Sequence, residues 1–222
     1  MKWYLDFGHG GKDSGAVGTN QTKESNTVLK IGRLIKTNLE KYNEKVITTR
    51  DTDLYFSLDY RSSKANNENC DYFVSIHMNS ATNKSAKGVE VWVYDEKSKV
   101  YNLAKDICSN LSKDLNTPNR GVKFSKSFSV LRKTKMPSLL IEIDFISNLS
   151  VENSLKDEIY IHDIAQSISN SLLSFVNKTI INSPSSYSVC IGEFKDFSSA
   201  VKLKNTAISK GFADTFIVNQ YL

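Results

Sequence analysis

The sequence predicts an α/β protein: a twisted, mostly parallel sheet with helices on both faces, followed by a small β-α-β module. Three observations predict it. Strand-like and helix-like segments alternate down to about Lys178, the pattern of βαβ units. A polar stretch, Asn182-Ser-Pro-Ser-Ser186, then breaks the chain and predicts a linker over 179–186. Beyond it a short strand, helix, strand pattern begins again.

The first run, Trp3 to Phe7, is apolar and predicts a strand that drops into the glycine-rich loop GHGGKDSGAVG. Glu24 to Tyr42 carries Val28, Ile31, Ile35 and Leu39 at helical spacing, and Lys45 to Thr49 predicts a second strand. Leu58 to about Asn67 is the next helix, with Leu58, Arg61 and Ala65 on one face, and Tyr72 to His77 the next strand. Gly88 to Tyr94, Phe128 to Leu131 and Leu139 to Ile143 are further strand-like runs. Helices fit Val100 to Leu115 and Ile159 to Val176, the latter with Ile161, Ile164, Ile168 and Leu172 in register. The expected domains are thus residues 1–178 and 187–222. In the second, Tyr187 to Ile191 and Ala213 to Val218 predict strands around a helix from Phe197 to Ser209, which Lys210-Gly211 stops. A piece this short falls below the roughly 40 residues at which a domain stands alone, so a second copy or packing on the first domain is expected.

Composition excludes several classes. Of the 222 residues, 40% are hydrophobic and 24% charged, an ordinary globular balance. The net charge of +5 is mild and the basic residues form no runs, so no nucleic-acid partner is expected. No apolar stretch reaches the roughly 20 residues of a membrane helix, and positions 3–7 are too few for a signal-peptide core. Three scattered cysteines, Cys70, Cys108 and Cys190, make neither a disulfide framework nor a CxxC metal signal.

The chemistry concentrates in few residues. His9 follows the first strand and His77 ends the third, and ligands of open parallel sheets collect beyond the carboxyl ends of strands. Two imidazoles with one carboxylate make a catalytic zinc set, and Glu24, opening the helix after the His9 loop, is the natural third member. Ordinary alternatives stand beside each: a turn residue for His9, helix-dipole compensation for Glu24. Glu142, in PSLLIEIDFISN, sits among apolar β-formers where an unpaired charge is expensive, so it faces a cation, has a raised pKa suited to proton transfer, or pairs with an arginine. Asp144 is a competing carboxylate two residues on, on the same face of an ideal strand. The glycine loop fits neither phosphate-binding spacing.

Taken together, GHGGKDSGAVG, the Glu24 helix ESNTVLKIGRLIKTNLEK, TTRDTDLYFSLDYRSSKANNENCDYFVSIHMNSA, KGVEVWVY and VLRKTKMPSLLIEIDFISN resemble the zinc-dependent N-acetylmuramoyl-L-alanine amidases over residues 1 to about 178. The resemblance implies one Zn2+ held by His9, Glu24 and His77, with Glu142 as the catalytic carboxylate. It implies hydrolysis of the amide between N-acetylmuramic acid and L-alanine in peptidoglycan. Tyr187 to Val218 resembles, more weakly, half of a SPOR-type wall-binding domain, which implies binding to glycan strands and a possible homodimer through paired tails. A phage endolysin or a sporulation lytic enzyme fits, cytoplasmic until released through a holin pore or by cell lysis. A zinc peptidase acting within the peptide stem and a non-catalytic wall-binding protein are the alternatives. The chain departs from the family at Phe7, often proline, and at Asp144, often glycine, which is expected to add negative charge near Glu142 and raise its pKa.

Overall fold

The computed structural model describes residues 1–178, 192 and 194–212. The chain divides into two compact units, Met1–Ile180 and Ile181–Leu222. The first holds six strands, β1 (Lys2–Phe7), β2 (Lys45–Thr48), β3 (Tyr72–Asn79), β4 (Val89–Val93), β5 (Asn119–Phe124) and β6 (Ser138–Phe145), in the order β2-β1-β3-β6-β4-β5. Its helices are α1 (Glu24–Glu40), α2 (Leu58–Asn67), α3 (Tyr101–Asp114), α4 (Ser129–Lys133), α5 (Leu149–Ser154) and α6 (Glu158–Phe175). Strands β2, β1, β3 and β6 run parallel, while β4 lies antiparallel to β6 and parallel to β5.

Alternation along the central strands sends side chains to two cores. Trp3, Leu5 and Phe7 of β1, Val74, Ile76 and Met78 of β3, and Leu139, Ile141 and Ile143 of β6 join the larger core. There they meet α1 (Val28, Ile31, Ile35, Leu39), α3 (Leu103, Ile107, Leu111) and α6 (Ile161, Ile164, Ile168, Leu172). Full burial of each such side chain contributes about 1.5–3 kcal/mol, so this face supplies most of the drive to fold. The smaller core gathers Tyr4, Phe73 and Leu140 with Ala65 of α2 and Val130 and Leu131 of α4. Helices thus cover both faces, and the parallel strands β1, β3 and β6 bring their carboxyl ends to one edge.

One expected element changes and one strand was not expected. Phe128 to Leu131 is not a strand: Phe128 caps α4, which puts Val130 and Leu131 into the smaller core as a single helical turn. The strand in that part of the chain is β5, whose sequence NRGVKF is too polar and too broken by Gly121 to show a strand period. In the second unit, the helix α7 (Phe197–Ser209) forms over the expected residues. The Asp196 side chain caps its start by accepting from the Ser199 amide (2.9 Å). It stops as expected at Lys210-Gly211: Gly211 has φ +98°, its amide donates to the Ile208 carbonyl and that of Phe212 to Ala207, the paired bonds of a Schellman ending. The linker and the two strands expected at Tyr187–Ile191 and Ala213–Val218 lie outside the described residues.

Candidate metal centre

The chain leaves β1 at Phe7 and turns at His9, whose φ of +59° lies in the left-handed region. That turn aims the imidazole back over the sheet edge, where β1 and β3 pair Phe7 with Ile76. His77, the next residue of β3, therefore stands beside it, the two rings 5.0 Å apart between centroids at 83°. Glu24 arrives from the first turn of α1 and completes the group. One atom from each of His9, Glu24 and His77 lies within 4.8 Å of the others, an arrangement that can hold a metal ion.

Glu24 Oε1 sits 3.3 Å from His9 Nε2 and 2.9 Å from His77 Nδ1, and also accepts from the Met78 amide (3.0 Å). Oε2 accepts from the Ala16 amide (2.8 Å). Burial alone would raise the Glu24 carboxyl, but the two imidazoles hold it well below the usual carboxylate range. Burial likewise opposes charge on the rings, and contact with Glu24 overrides it, lifting His9 to about 9 and His77 above its ordinary value. The far side of the His9 ring is fixed by Asp13: Nδ1 donates to Asp13 Oδ2 at 2.9 Å, so that in the neutral ring a metal ligand needs, the lone pair lies on Nε2. Gly15, φ +63°, keeps the loop tight, since a β-carbon there would lie 2.6 Å from both Glu24 Oε2 and His9 Cδ2.

Glu142 lies directly beside His77 in the β3–β6 register and opposite Glu90 in the β6–β4 register. Its Oε2 is buried with no hydrogen-bond partner. The arginine pairing allowed by the sequence is not what surrounds it: burial pushes its carboxyl up to about 7, the Glu24 and Glu90 carboxylates add to that, and the His77 and His9 rings oppose it. Glu142, His9 and His77 face a cleft of about 310 Å3 with Tyr55, Phe56 and Leu58 on its rim. Phe128, Val130 and Leu140 also line it.

Asp144 departs from its expected place. The register shifts by one residue between His77↔Glu142 and Asn79↔Phe145, a bulge that rotates Asp144 off the Glu142 face. It is buried and accepts from the Gly88 amide (2.7 Å) and the Thr117 hydroxyl (2.6 Å). The carboxylate added near Glu142 is instead Glu90, held by Asn79 Nδ2 (2.9 Å) and Arg120 Nε (2.9 Å). Asp13 and Glu90 were not singled out from the sequence. For Asp13 a signal exists, an acid four residues after the histidine in a glycine loop; for Glu90 none does, because strand order is needed to pair it with Glu142. His162 lies on α6 beside Asp163 (3.9 Å), outside this group.

A family model described as N-acetylmuramoyl-L-alanine amidase matches residues 4–174. The sporulation-specific N-acetylmuramoyl-L-alanine amidase of Bacillus subtilis is 35% identical over 215 residues, 96% of this chain and 82% of that one. An endolysin of Bacillus phage SPP1 is 35% identical over 78% of this chain and 65% of its own. Among solved structures, the N-acetylmuramoyl-L-alanine amidase AmiC2 of Nostoc punctiforme superposes with a TM-score of 0.75 at 33% identity, covering 80% of this chain and 98% of that one.

Proposed function

The chain belongs to the N-acetylmuramoyl-L-alanine amidase family, and on that premise we propose that it is a peptidoglycan hydrolase cleaving the amide between N-acetylmuramic acid and L-alanine with the help of one zinc ion. The observation that carries the reading is the meeting of His9, Glu24 and His77 beside a buried, partnerless Glu142 oxygen. The donor set fits zinc: two imidazole nitrogens and one carboxylate oxygen leave a fourth position open, as hydrolytic zinc sites do. When bound, zinc supplies Lewis acidity toward the scissile carbonyl and toward a water molecule.

The protein's own groups do the rest. Asp13 holds His9 in the tautomer that presents Nε2, and the Ala16 and Met78 amides hold the Glu24 carboxylate in place between the rings. The Glu142 carboxylate takes the proton of the attacking water and delivers it to the departing amine of L-alanine. A carboxyl whose affinity for protons is lifted to about 7 by burial suits both halves of that transfer at neutral pH. Tyr55, Phe56, Leu58, Phe128, Val130 and Leu140 give the cleft apolar surface against which the substrate can pack.

Residues 187–222 serve, in the same reading, as a wall-binding module that pairs with a second copy, and action is at the cell wall after release by lysis or through a pore. The support is the resemblance of Tyr187 to Val218 to half of a SPOR-type domain. Light scattering after size exclusion tests the pairing: a monomer at micromolar concentration, unchanged by deleting 182–222, refutes it.

Mass spectrometry of digested peptidoglycan tests the reaction. Free L-alanine amino termini with intact glycan are expected, abolished by a chelator and restored by zinc. Cuts between stem residues would instead make the protein a zinc peptidase.

A further inference from the structure

Two arginines lie buried beneath the metal loop, and neither enters the chemistry above. Arg50, just past β2, donates from Nε to the Phe7 carbonyl (3.1 Å). Its Nη2 donates to the Gly8 carbonyl (3.0 Å) and to that of Ser25 (2.7 Å). Arg61, on α2, donates from Nη1 to the Phe7 carbonyl (2.8 Å) and Asp6 Oδ1 (2.7 Å), and from Nη2 to the His9 carbonyl (2.8 Å). Asp6 Oδ2 in turn accepts from the Ser75 hydroxyl (2.7 Å), two residues before His77.

These contacts follow a pattern. Three consecutive carbonyls, those of Phe7, Gly8 and His9, all point at guanidinium groups. One nitrogen of Arg50 spans the residue before His9 and the residue after Glu24. The Arg61–Asp6–Ser75 chain spans His9 and the strand of His77. Each guanidinium therefore ties two ligand-bearing segments together, and between them they tie all three.

We infer that Arg50 and Arg61 are positioning residues of the metal centre, a pair of buried guanidinium clamps that set the spacing of His9, Glu24 and His77 through the backbone. The inference rests on the zinc reading. A left-handed, glycine-flanked loop has many alternative conformations; fixing its carbonyls selects the one in which the His9 ring faces the other ligands. The planar fork matters, because a single ammonium cannot reach the same divergent acceptors at once.

The test uses the full chain, stripped of metal and titrated with zinc against a chromophoric chelator, together with the visible spectrum of the cobalt-substituted protein. Arg61→Lys and Arg50→Lys are each expected to weaken zinc binding roughly 10- to 100-fold and to alter the cobalt bands. Leu111→Ala, a buried change on α3, gives a control for general destabilisation: it lowers the melting temperature while keeping wild-type zinc affinity and cobalt spectrum. Wild-type zinc affinity and cobalt spectrum in both lysine variants would overturn the inference, as would losses no greater than in Leu111→Ala. Should Arg61→Lys not fold, Ser75→Ala, which removes one hydroxyl from the Arg61 chain, replaces it under the same criteria; should Arg50→Lys not fold, Arg50→Gln, which loses the fork but keeps a donor, replaces it likewise. If the wild type itself failed to bind zinc, the zinc reading would fall, and the two failures are thereby told apart.

Discussion

Glu142 Oε2 is a buried acceptor without a donor, a state that protein interiors accommodate where a carboxyl is protonated or meets a ligand. Glu142→Gln should keep zinc, measured by metal analysis, yet lower turnover of muropeptides by roughly 10²- to 10⁴-fold. Near-normal turnover with zinc in place would move the proton transfer elsewhere. Asp144, two positions along, does different work: Asp144→Ala strands the Gly88 amide and the Thr117 hydroxyl, so it should cost about 1–3 kcal/mol in urea unfolding while leaving the pH profile of turnover unchanged. Asp6 gives an acid-sensitive contribution. Burial would lift its carboxyl, but Arg61, Thr49 and Ser75 together hold it below its ordinary value of 3.8. A depressed native pKa means the contribution is whole above that ordinary value and is lost as pH falls toward the lower native one. Asp6→Asn should therefore cost about 3–5 kcal/mol at neutral pH, and its urea midpoint should fall less steeply than wild type below about pH 4. His9 and His77 stand out in the sequence as imidazoles just past or at the end of apolar strand runs, Glu142 as a carboxylate inside one, and Glu24 as the acid that opens the helix after the His9 loop. Asp6 and Glu90 do not, because their partners come from other strands and helices, whereas Asp13 carries a signal only in its spacing of four from His9.

At the scale of elements, the metal loop depends on tight approach. Gly15→Ala should weaken zinc binding, since the added carbon lies 2.6 Å from both Glu24 and His9 atoms, besides costing about 1–2 kcal/mol for a left-handed alanine. Gly121→Ala, at φ +78° on β5 with nothing within 4 Å, should show the same backbone cost in thermal unfolding but unchanged zinc affinity. Helices α1, α3 and α6 were legible because their apolar residues repeat on one stripe facing the larger core. β5 was not, being a half-exposed edge strand with a glycine and two basic residues in six positions. Phe128 to Leu131 was mistaken for a strand because one helical turn is too short for its period to differ from an apolar run. α5, six residues long, escaped for the same reason, although Asn148 caps its start by accepting from the Ser150 amide (3.0 Å).

For the whole molecule, the first unit contains both cores and every residue of the metal centre, so a chain ending at Ile180 should fold and hydrolyse small soluble muropeptides as the full chain does. Its binding to intact cell walls, measured by sedimentation, should be weaker if residues 187–222 grip the glycan. The strand order β2-β1-β3-β6-β4-β5 also fixes a timetable. On the ribosome the three residues of the candidate metal centre are all made by position 77, but β6, which carries Glu142, must slot between β3 and β4 after both exist. Until then β3 and β4 present bare edges, the sites at which nascent sheets stick to one another. If Glu142 is the proton acceptor proposed above, a chain paused before residue 138 would carry all three proposed ligands without it, and the last central strand to be synthesised would complete the site.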